Sequence, residues 1–545
     1  MDRQDGLCFP LTELFAGNLR SDPRRSRRGF FLERRAYHSF SLFILLYQPF
    51  ECQCYRECNR MKHDQPAYRE VQGLTKTSQA PAMRLVLAVA LVLELVVALM
   101  ARAQDPGSTA DEAVAPAATD AVQTMFPHPS AARYWVSGQA NFIFQTHPPF
   151  FALYSGTNSL QPYYEKATSR VLTLYTGYQI TKSIEVLLDV EEAGGQGLSQ
   201  ALGLAGFTNL DVVRNPTIGE APYLSRYMYH QVFALSSEKT EAARGPLSTF
   251  SELSVRRLEF RFGKFGLSDF FDLNSVGGDS HLQFMNWAVD QNGAYDYAAD
   301  TRGYTIGAIL EYQNPKWGLR FAEALLPKVA NGQDLQWNLR RANASNVEFE
   351  IHRGFLKKKD GIIRILAFVN NANMGIYQVA NARYLANPIA PPQITDHPLQ
   401  VTTKYGFGFN FEQALTKGIL LYGRFGWNNG KTESWAYTEI DQTVQVGAGF
   451  AGPMWKRSYD RAGAVFVSNG ISSEHARYLS FGGLGFILGD GGLTYGRETI
   501  FETYYTAHIW RGLFLGPGLQ YIVNPAYNRV RGPVTVASFR VHVDF

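Results

Sequence analysis

The last twelve residues, 534–545, alternate without a break. Thr535, Ala537, Phe539, Val541, Val543 and Phe545 fall on one side of an extended chain, and Val534, Val536, Ser538, Arg540, His542 and Asp544 fall on the other. Successive side chains of a strand face opposite ways, so this segment meets an apolar medium with one face and carries charge on the other. Its length suits the roughly 9 to 11 tilted residues with which a strand crosses a bilayer. The pattern predicts a strand of a membrane barrel.

The same period recurs upstream. Val136, Ala140, Phe142 and Phe144 oppose Ser137, Gln139 and Asn141; Ile184, Val186, Leu188 and Val190 oppose Glu185, Asp189 and Glu191. Leu258, Phe260 and Phe262 oppose Arg257, Glu259 and Arg261. Tyr405, Phe407, Phe409 and Phe411 oppose Lys404, Gly406, Gly408, Asn410 and Glu412. Thr503, Tyr505, Ala507 and Ile509 oppose Glu502, Tyr504, Thr506 and His508. No apolar run long enough for a helical span occurs after residue 133.

A soluble sandwich alternates as well. Aromatic residues near strand ends (Trp317, Trp427, Trp435, Trp455, Trp510, Tyr521) favour a barrel, whose interfaces they would girdle. Connections also alternate in length. Short ones are expected at 181–183, 314–316, 358–361, 416–418 and 511–512, and long ones at 192–222, 268–300, 371–400 and 470–480. The expectation is an all-β, transmembrane, antiparallel up-and-down β-barrel of about 16 strands, with short periplasmic turns and long extracellular loops. The Gly-rich stretch 480–488 fits a loop as well as a strand.

Charge and cysteine usage exclude other classes. From Gln104 onward there are 37 basic and 38 acidic residues, without the basic excess of a nucleic-acid binder. Cys8, Cys52, Cys54 and Cys58 are the only cysteines, so the main body holds neither a disulfide framework nor a thiolate metal site. The cluster at 52–58 lacks a second half at ligand spacing. His281, His352, His475, His508 and His542 are scattered, and no cofactor is expected.

Residues 83–103 have a basic start, an apolar stretch and a small-x-small ending at Ala101 and Ala103. These are the parts of a secretory signal peptide, with cleavage expected after Ala103. Glu94 interrupts the stretch, which is also short for a ~20-residue span. Residues 1–82 then form an unstructured extension or a mis-assigned start, translation from Met83 being the simplest explanation. Arg27 and Arg28 suggest a twin-arginine signal, but the following apolar run is brief and that route carries folded cargo. Residues 104–130 are a flexible leader and 131–545 the barrel, delivered to the outer membrane by the general secretory route.

Longer motifs narrow the reading: AGGQGLS at 193–199, LAGFTN at 204–209, DVVR at 211–214, GKF at 263–265, QFMNWA at 283–288, NGAYD at 292–296 and ADTRGY at 299–304. They continue with GWNN at 426–429, GLGFILGD at 483–490, ETYY at 502–505 and QYIVNP at 520–525. Through these, the chain from about residue 131 resembles the carbohydrate-selective porin family (OprB type) of Gram-negative outer membranes. The resemblance implies a sixteen-stranded barrel passing mono- and small oligosaccharides passively. Sugars in the lumen and outer-membrane lipid and lipopolysaccharide are the implied partners, and a homotrimer is compatible with it.

A sugar pore needs hydrogen-bonding groups for hydroxyls and aromatic faces for C–H surfaces, and mixed charge suits a neutral solute better than a ring of one sign. The expected lumen face carries both signs: Glu185, Asp189, Arg257, Glu259, Arg261, Lys404, Glu412, Arg424, Glu439, Asp441 and Glu502. Each is otherwise a solvated wall charge or one half of a transverse ion pair. The loop 268–300 gathers Trp287, Asn292, Tyr295, Asp296 and Asp300, with Arg302 beyond it, as the constriction candidates. Its alternative is inward folding for packing alone. Asp296 with Asp300, or Glu498 with Glu502, could serve a glycosidase, but no nucleophile motif accompanies them. The glycines at 483, 485 and 489 miss dinucleotide spacing, and Asn343–Ser345 is a glycosylation sequon by pattern only. A differently selective or general porin is the second reading, and a secreted all-β carbohydrate-active enzyme the third.

Overall fold

The computed structural model describes residues 123–129, 132–212, 218–356 and 359–545. The cysteine cluster, the signal segment 83–103, the extension 1–82, most of the leader and part of the DVVR motif lie outside the described residues.

Where β-branched and aromatic residues alternate with polar ones, the chain is extended. The first strands are β1 (Tyr134–His147), β2 (Glu165–Gln179), β3 (Ile184–Gly195), β4 (Tyr223–Ala234), β5 (Lys239–Glu241) and β6 (Glu252–Ser254). There follow β7 (Arg257–Phe265), β8 (Thr305–Gln313), β9 (Trp317–Ala324), β10 (Asn343–Ile351), β11 (Gly361–Ala372) and β12 (Thr402–Thr416). The last are β13 (Ile419–Asn428), β14 (Gln442–Ala451), β15 (Arg461–Gly470), β16 (Glu498–Trp510), β17 (Leu513–Val523) and β18 (Val534–Asp544). Among the described residues three α-helices lie in connections: α1 (Trp287–Asp290), α2 (Tyr377–Ala386) and α3 (Ser473–Ser480).

Sixteen strands close into one antiparallel barrel, each beside its neighbour in sequence except where β5 and β6 form a separate hairpin between β4 and β7. β1 closes the ring against β18, with Ala140 opposite Val543 and Phe142 opposite Val541. Closure pairs each strand on both sides, as a bilayer requires. Val136, Phe142, Leu188, Phe262, Phe407 and Phe539 are exposed outward, while Asn141, Glu185, Glu259, Lys404, Asn410 and Arg540 are buried on the inner side.

Short connections gather at one rim (180–183, 314–316, 417–418, 511–512), together with the longer 235–256 that carries β5 and β6, and long ones lie at the other (196–222, 266–304, 373–401, 471–497). The stretch 480–488 forms no strand. Two further long connections, 148–164 and 325–342, had no distinctive sequence signal.

The interior differs from a simple water-filled bore. The long connections fold into it and carry their own apolar cluster, including Leu198, Phe207, Phe271, Trp287, Tyr437 and Tyr527, all buried. Trp435, read from sequence as a girdle residue, belongs to this filling: it is buried and donates through Nε1 to Pro327 O at 2.9 Å. An aromatic beside a strand end can pack inward or outward, and its position in sequence does not distinguish the two.

Candidate solute pathway

The inner wall from β3 to β12 carries a belt of alternating charge. His230 on β4 bridges Glu185 on β3 (2.7 Å) and Glu259 on β7 (2.8 Å). Glu259 also meets Arg257 at 2.6 Å and Arg261, and Arg261 reaches Glu311 on β8 at 2.7 Å. Arg320 on β9 joins Glu311 (2.9 Å) to Glu348 on β10 (2.6 Å). Arg364 on β11 joins Glu350 to Glu412 on β12, both at 2.6 Å. Every second residue of a strand faces inward, so strands of opposite direction bring these charges to a common level, toward the rim of short turns. His230, Glu311, Arg320, Glu348, Glu350 and Arg364 were not singled out in the sequence, although each sits in the inward phase of its strand.

From β13 to β18 the inward charged groups hold loop backbone, which β10 to β12 also touch through Glu348, Asn370 and Asn410. Arg424 donates to Gly277 O (2.5 Å), Val289 O (2.7 Å) and Asp272 O (2.9 Å), and pairs with the Asp272 carboxylate at 2.8 Å. Glu502 accepts from Met285 N (2.7 Å) and Asn286 N (3.2 Å). Glu498 accepts from Ala205 N (3.0 Å) and Gly206 N (2.9 Å). Burial without these partners would cost each carbonyl and N–H several kcal/mol in an apolar setting, so the loops hold their place through the wall.

The chain matches the family profile described as carbohydrate-selective porin, OprB family, over residues 158–545. It belongs to that family. No curated protein sequence matches it. The high-pH structure of Pseudomonas putida OprB is similar at 14% identity, covering 76% of this chain and 94% of that one, with a TM-score of 0.55. The low-pH structure of the same protein covers 76% and 92% at 12% identity and a TM-score of 0.41. The outer membrane channel DcaP of Acinetobacter baumannii covers 77% and 100% at 9% identity and a TM-score of 0.40. Family and fold together make this an outer-membrane sugar porin of the OprB family, with a closed β-barrel for its channel.

Within this porin, the constriction candidates fall into two groups. Trp287, Asn292, Tyr295, Asp296 and Asp300 are buried. Trp287 Nε1 donates to Asn209 O (2.8 Å), Asn292 Nδ2 to Phe425 O (3.1 Å) and Tyr295 Oη to Asn346 Oδ1 (2.9 Å). The Asp296 carboxylate accepts from Trp435 N (2.8 Å) and Ala436 N (2.9 Å) and lies 3.3 Å from Lys404 Nζ. Asp300 accepts from Arg302 N (2.9 Å) and Tyr304 N (3.1 Å), and burial pushes its carboxyl up from the ordinary value. Arg302 stands apart because it is only half-buried. Its guanidinium lies 3.8 Å from the Tyr223 ring centre. Tyr304 Oη donates to Glu191 at 2.9 Å, Tyr223 donates to the same carboxylate, and Lys264 Nζ lies 5.6 Å from the Tyr304 ring. Tyr223, Tyr304, Glu191 and Lys264 are likewise half-buried.

Of the expected wall charges, Glu185, Asp189, Arg257, Glu259, Arg261, Lys404, Glu412, Arg424 and Glu502 lie on strands and face inward; Asp189 pairs with Arg226. Glu439 and Asp441 do not line the strand wall. They lie in the connection 429–441 and surround buried His475 of α3, with Asp441 at 3.2 Å and Glu439 at 3.7 Å. Burial opposes the charge on His475, but its hydrogen bonds to the two carboxylates win and raise its pKa. His281 and His542, unremarkable by spacing, stack at 6.0 Å inside the barrel, and His281 lies 3.4 Å from Asp211.

Proposed function

We propose that mono- and small oligosaccharides diffuse down their gradient past Arg302, Tyr223, Tyr304, Glu191 and Lys264. The observation that supports this path is the half-buried meeting of two aromatic rings, two cations and a carboxylate at the long-loop rim, where Glu191 and Tyr223 are in the inward phase of β3 and β4 and Lys264, in the outward phase of β7, lies against both rings. Aromatic faces suit sugar C–H surfaces, while the charged groups offer hydrogen bonds to hydroxyls without a single-sign field. Trp287, Asn292, Tyr295, Asp296 and Asp300 act on the same path by fixing the shape of the inserted loop. Arg302→Ala is expected to weaken sugar block of single-channel current severalfold, and Trp287→Ala to alter conductance through loop placement. Unchanged block in both variants removes the assignment.

Selectivity is tested by proteoliposome swelling, with faster entry of sugars than of amino acids of equal size; equal rates support a general porin instead. The channel acts without catalysis in this reading. The carboxylates of Asp296, Glu498 and Glu502 are occupied by backbone N–H groups, which does not suit the paired acids of a glycosidase. Hydrolysis of an oligosaccharide by the purified barrel would overturn that. Export by the general secretory route predicts a mature chain beginning at Gln104, read by N-terminal sequencing. Association as a homotrimer would cover part of the apolar outer wall, and native mass of the solubilised protein tests it.

A further inference from the structure

The outer wall of a membrane barrel is apolar at hydrocarbon depth, yet four adjacent strands share a polar chain on that face near the long-loop rim. Thr403 Oγ1 on β12 donates to Asn371 Oδ1 on β11 at 2.8 Å, and Asn371 Nδ2 donates to Asn343 Oδ1 on β10 at 3.0 Å. Asn343 Nδ2 and Ser345 Oγ then donate to the two oxygens of Glu323 on β9, at 2.7 and 2.6 Å. The register sets Ser345 opposite Glu323, Asn343 opposite Asn371, and Asn371 opposite Thr403. Inward-facing Glu348 and Lys404 occupy the alternate positions, so the chain looks outward. Tyr405 and Trp427, with rings 6.1 Å apart, stand beside it as an interfacial pair.

Beyond this belt, the connection 325–342 contains three basic residues, Lys328, Arg340 and Arg341, and one acid, Asp334. Lys328 lies 3.4 Å from Asp334. Arg340 and Arg341 are exposed, and among the described residues neither has an ion-pair partner. A cavity of about 240 Å³ separates this connection from 373–401, with Lys328, Arg341, Leu399 and Val401 in its lining. Leu399 is 94% exposed and Trp337 70%.

We propose that this sector binds the phosphorylated glycolipid of the outer leaflet. The phosphates lie on Arg340, Arg341 and Lys328, the headgroup hydroxyl and amide groups on the belt from Thr403 to Glu323, and the acyl chains on the apolar wall below. Two observations select this occupant. Arg340 and Arg341, exposed and without ion-pair partners among the described residues, outnumber the Glu323 carboxylate of the belt and call for an anion, and the site continues directly into the membrane-facing wall, where a free anion would find no use for the belt and a permeating sugar would lie outside the bore. The inference rests on the outer-membrane setting but not on sugar selectivity.

The test is native mass spectrometry of the delipidated full barrel titrated with bisphosphorylated lipid A, its dephosphorylated form and inorganic phosphate. One lipid A is expected to bind saturably, with dephosphorylation weakening it by at least tenfold. The R340A/R341A variant is expected to bind about thirtyfold more weakly, at roughly 1 kcal/mol per basic residue near a charged leaflet, and R340K/R341K to recover most of the loss. Equal affinity of wild type and R340A/R341A overturns the proposal. So does displacement of the lipid by millimolar phosphate, or a second copy of the barrel occupying the face, seen as a wild-type oligomer lost in the variant. Sugar flux through the same variants should be unchanged; absence of flux in wild type would defeat the sugar-path reading and leave the lipid result standing.

Discussion

Two sectors of the inner wall look alike in sequence and differ in what they hold. Between β3 and β12 the inward charges answer one another across neighbouring strands, as in Arg320 between Glu311 and Glu348. Between β13 and β18 the inward polar groups grip the backbone of inserted loops, as in Arg424 on three carbonyls and Glu502 on two N–H groups. The first sector sets the field that a solute meets. The second determines how much of the bore is filled, because loop backbone enters a barrel only where its polar groups find partners. A porin can thus vary its aperture through one half of its wall while keeping the charge pattern of the other.

The sharpest way to break this contrast is Arg424→Ala. The substitution strips the Gly277 and Val289 carbonyls of their donor, leaves Asp272 O to Asn410 Nδ2 at 3.1 Å, and takes the cation from the buried Asp272 carboxylate, which keeps only Asn292 N and Asn410 Nδ2. Removing one partner of a buried pair costs roughly 3 to 5 kcal/mol. The expected result is a lower transition temperature for the heat-modifiable folded form, together with a larger and noisier single-channel conductance as the loop 266–304 loosens. An unchanged conductance would show that this loop is held by other means.

Arg320→Met probes the first sector and should do less. Glu311 keeps Arg261, while Glu348 keeps the Asp272 N–H at 2.7 Å. The expected loss is about 2 kcal/mol, the scale of hydrogen bonds to a charged group. Its distinguishing effect is on selectivity: loss of one positive charge shifts the reversal potential in a salt gradient toward cations, with little change in conductance. Enlarged conductance would blur the division between the sectors.

The division follows the limits of what the sequence reveals. Period-2 alternation fixed which face of β1, β3, β7, β12, β16 and β18 meets lipid, because side-chain direction is a local property of extended chain. What an inward group touches is not local. Arg424 finds Asp272 across 152 positions and Glu498 finds Gly206 across 292, and the connections that supply such partners have no period. Glu439 and Asp441 looked like wall charges for the same reason, since two acids one residue apart mimic a strand face yet here enclose a histidine. The loop 268–300 was found through its density of polar and aromatic groups. That density did not reveal that Asp296 would be occupied by backbone N–H groups or that Arg302 would remain half-buried.

The smallest expected effect separates the sectors by pH. Burial pushes the Asp290 carboxyl on α1 up to about 7, so the folded protein favours its neutral form. A raised carboxyl pKa contributes stability in full below its unfolded value near 4 and loses it as pH rises toward 7. The inserted loop should therefore tighten on acidification through that window, seen as a rise in transition temperature and a fall in current noise. Asp290→Asn keeps an uncharged side chain at every pH and should make the dependence shallower. Glu433, pushed by burial to about 7 in the connection 429–441, and Asp300 and Asp490, pushed up by burial in their own loops, add to the slope, of which Glu433→Gln removes one share. Asp441 cannot mimic the effect: burial pushes its carboxyl upward, but the His475 hydrogen bond and charge prevail and hold it below its ordinary value, so its contribution is lost only under more acidic conditions. If D290N and wild type keep parallel profiles between pH 4 and 7, the buried helix does not govern loop placement, and the second sector acts through its wall residues alone.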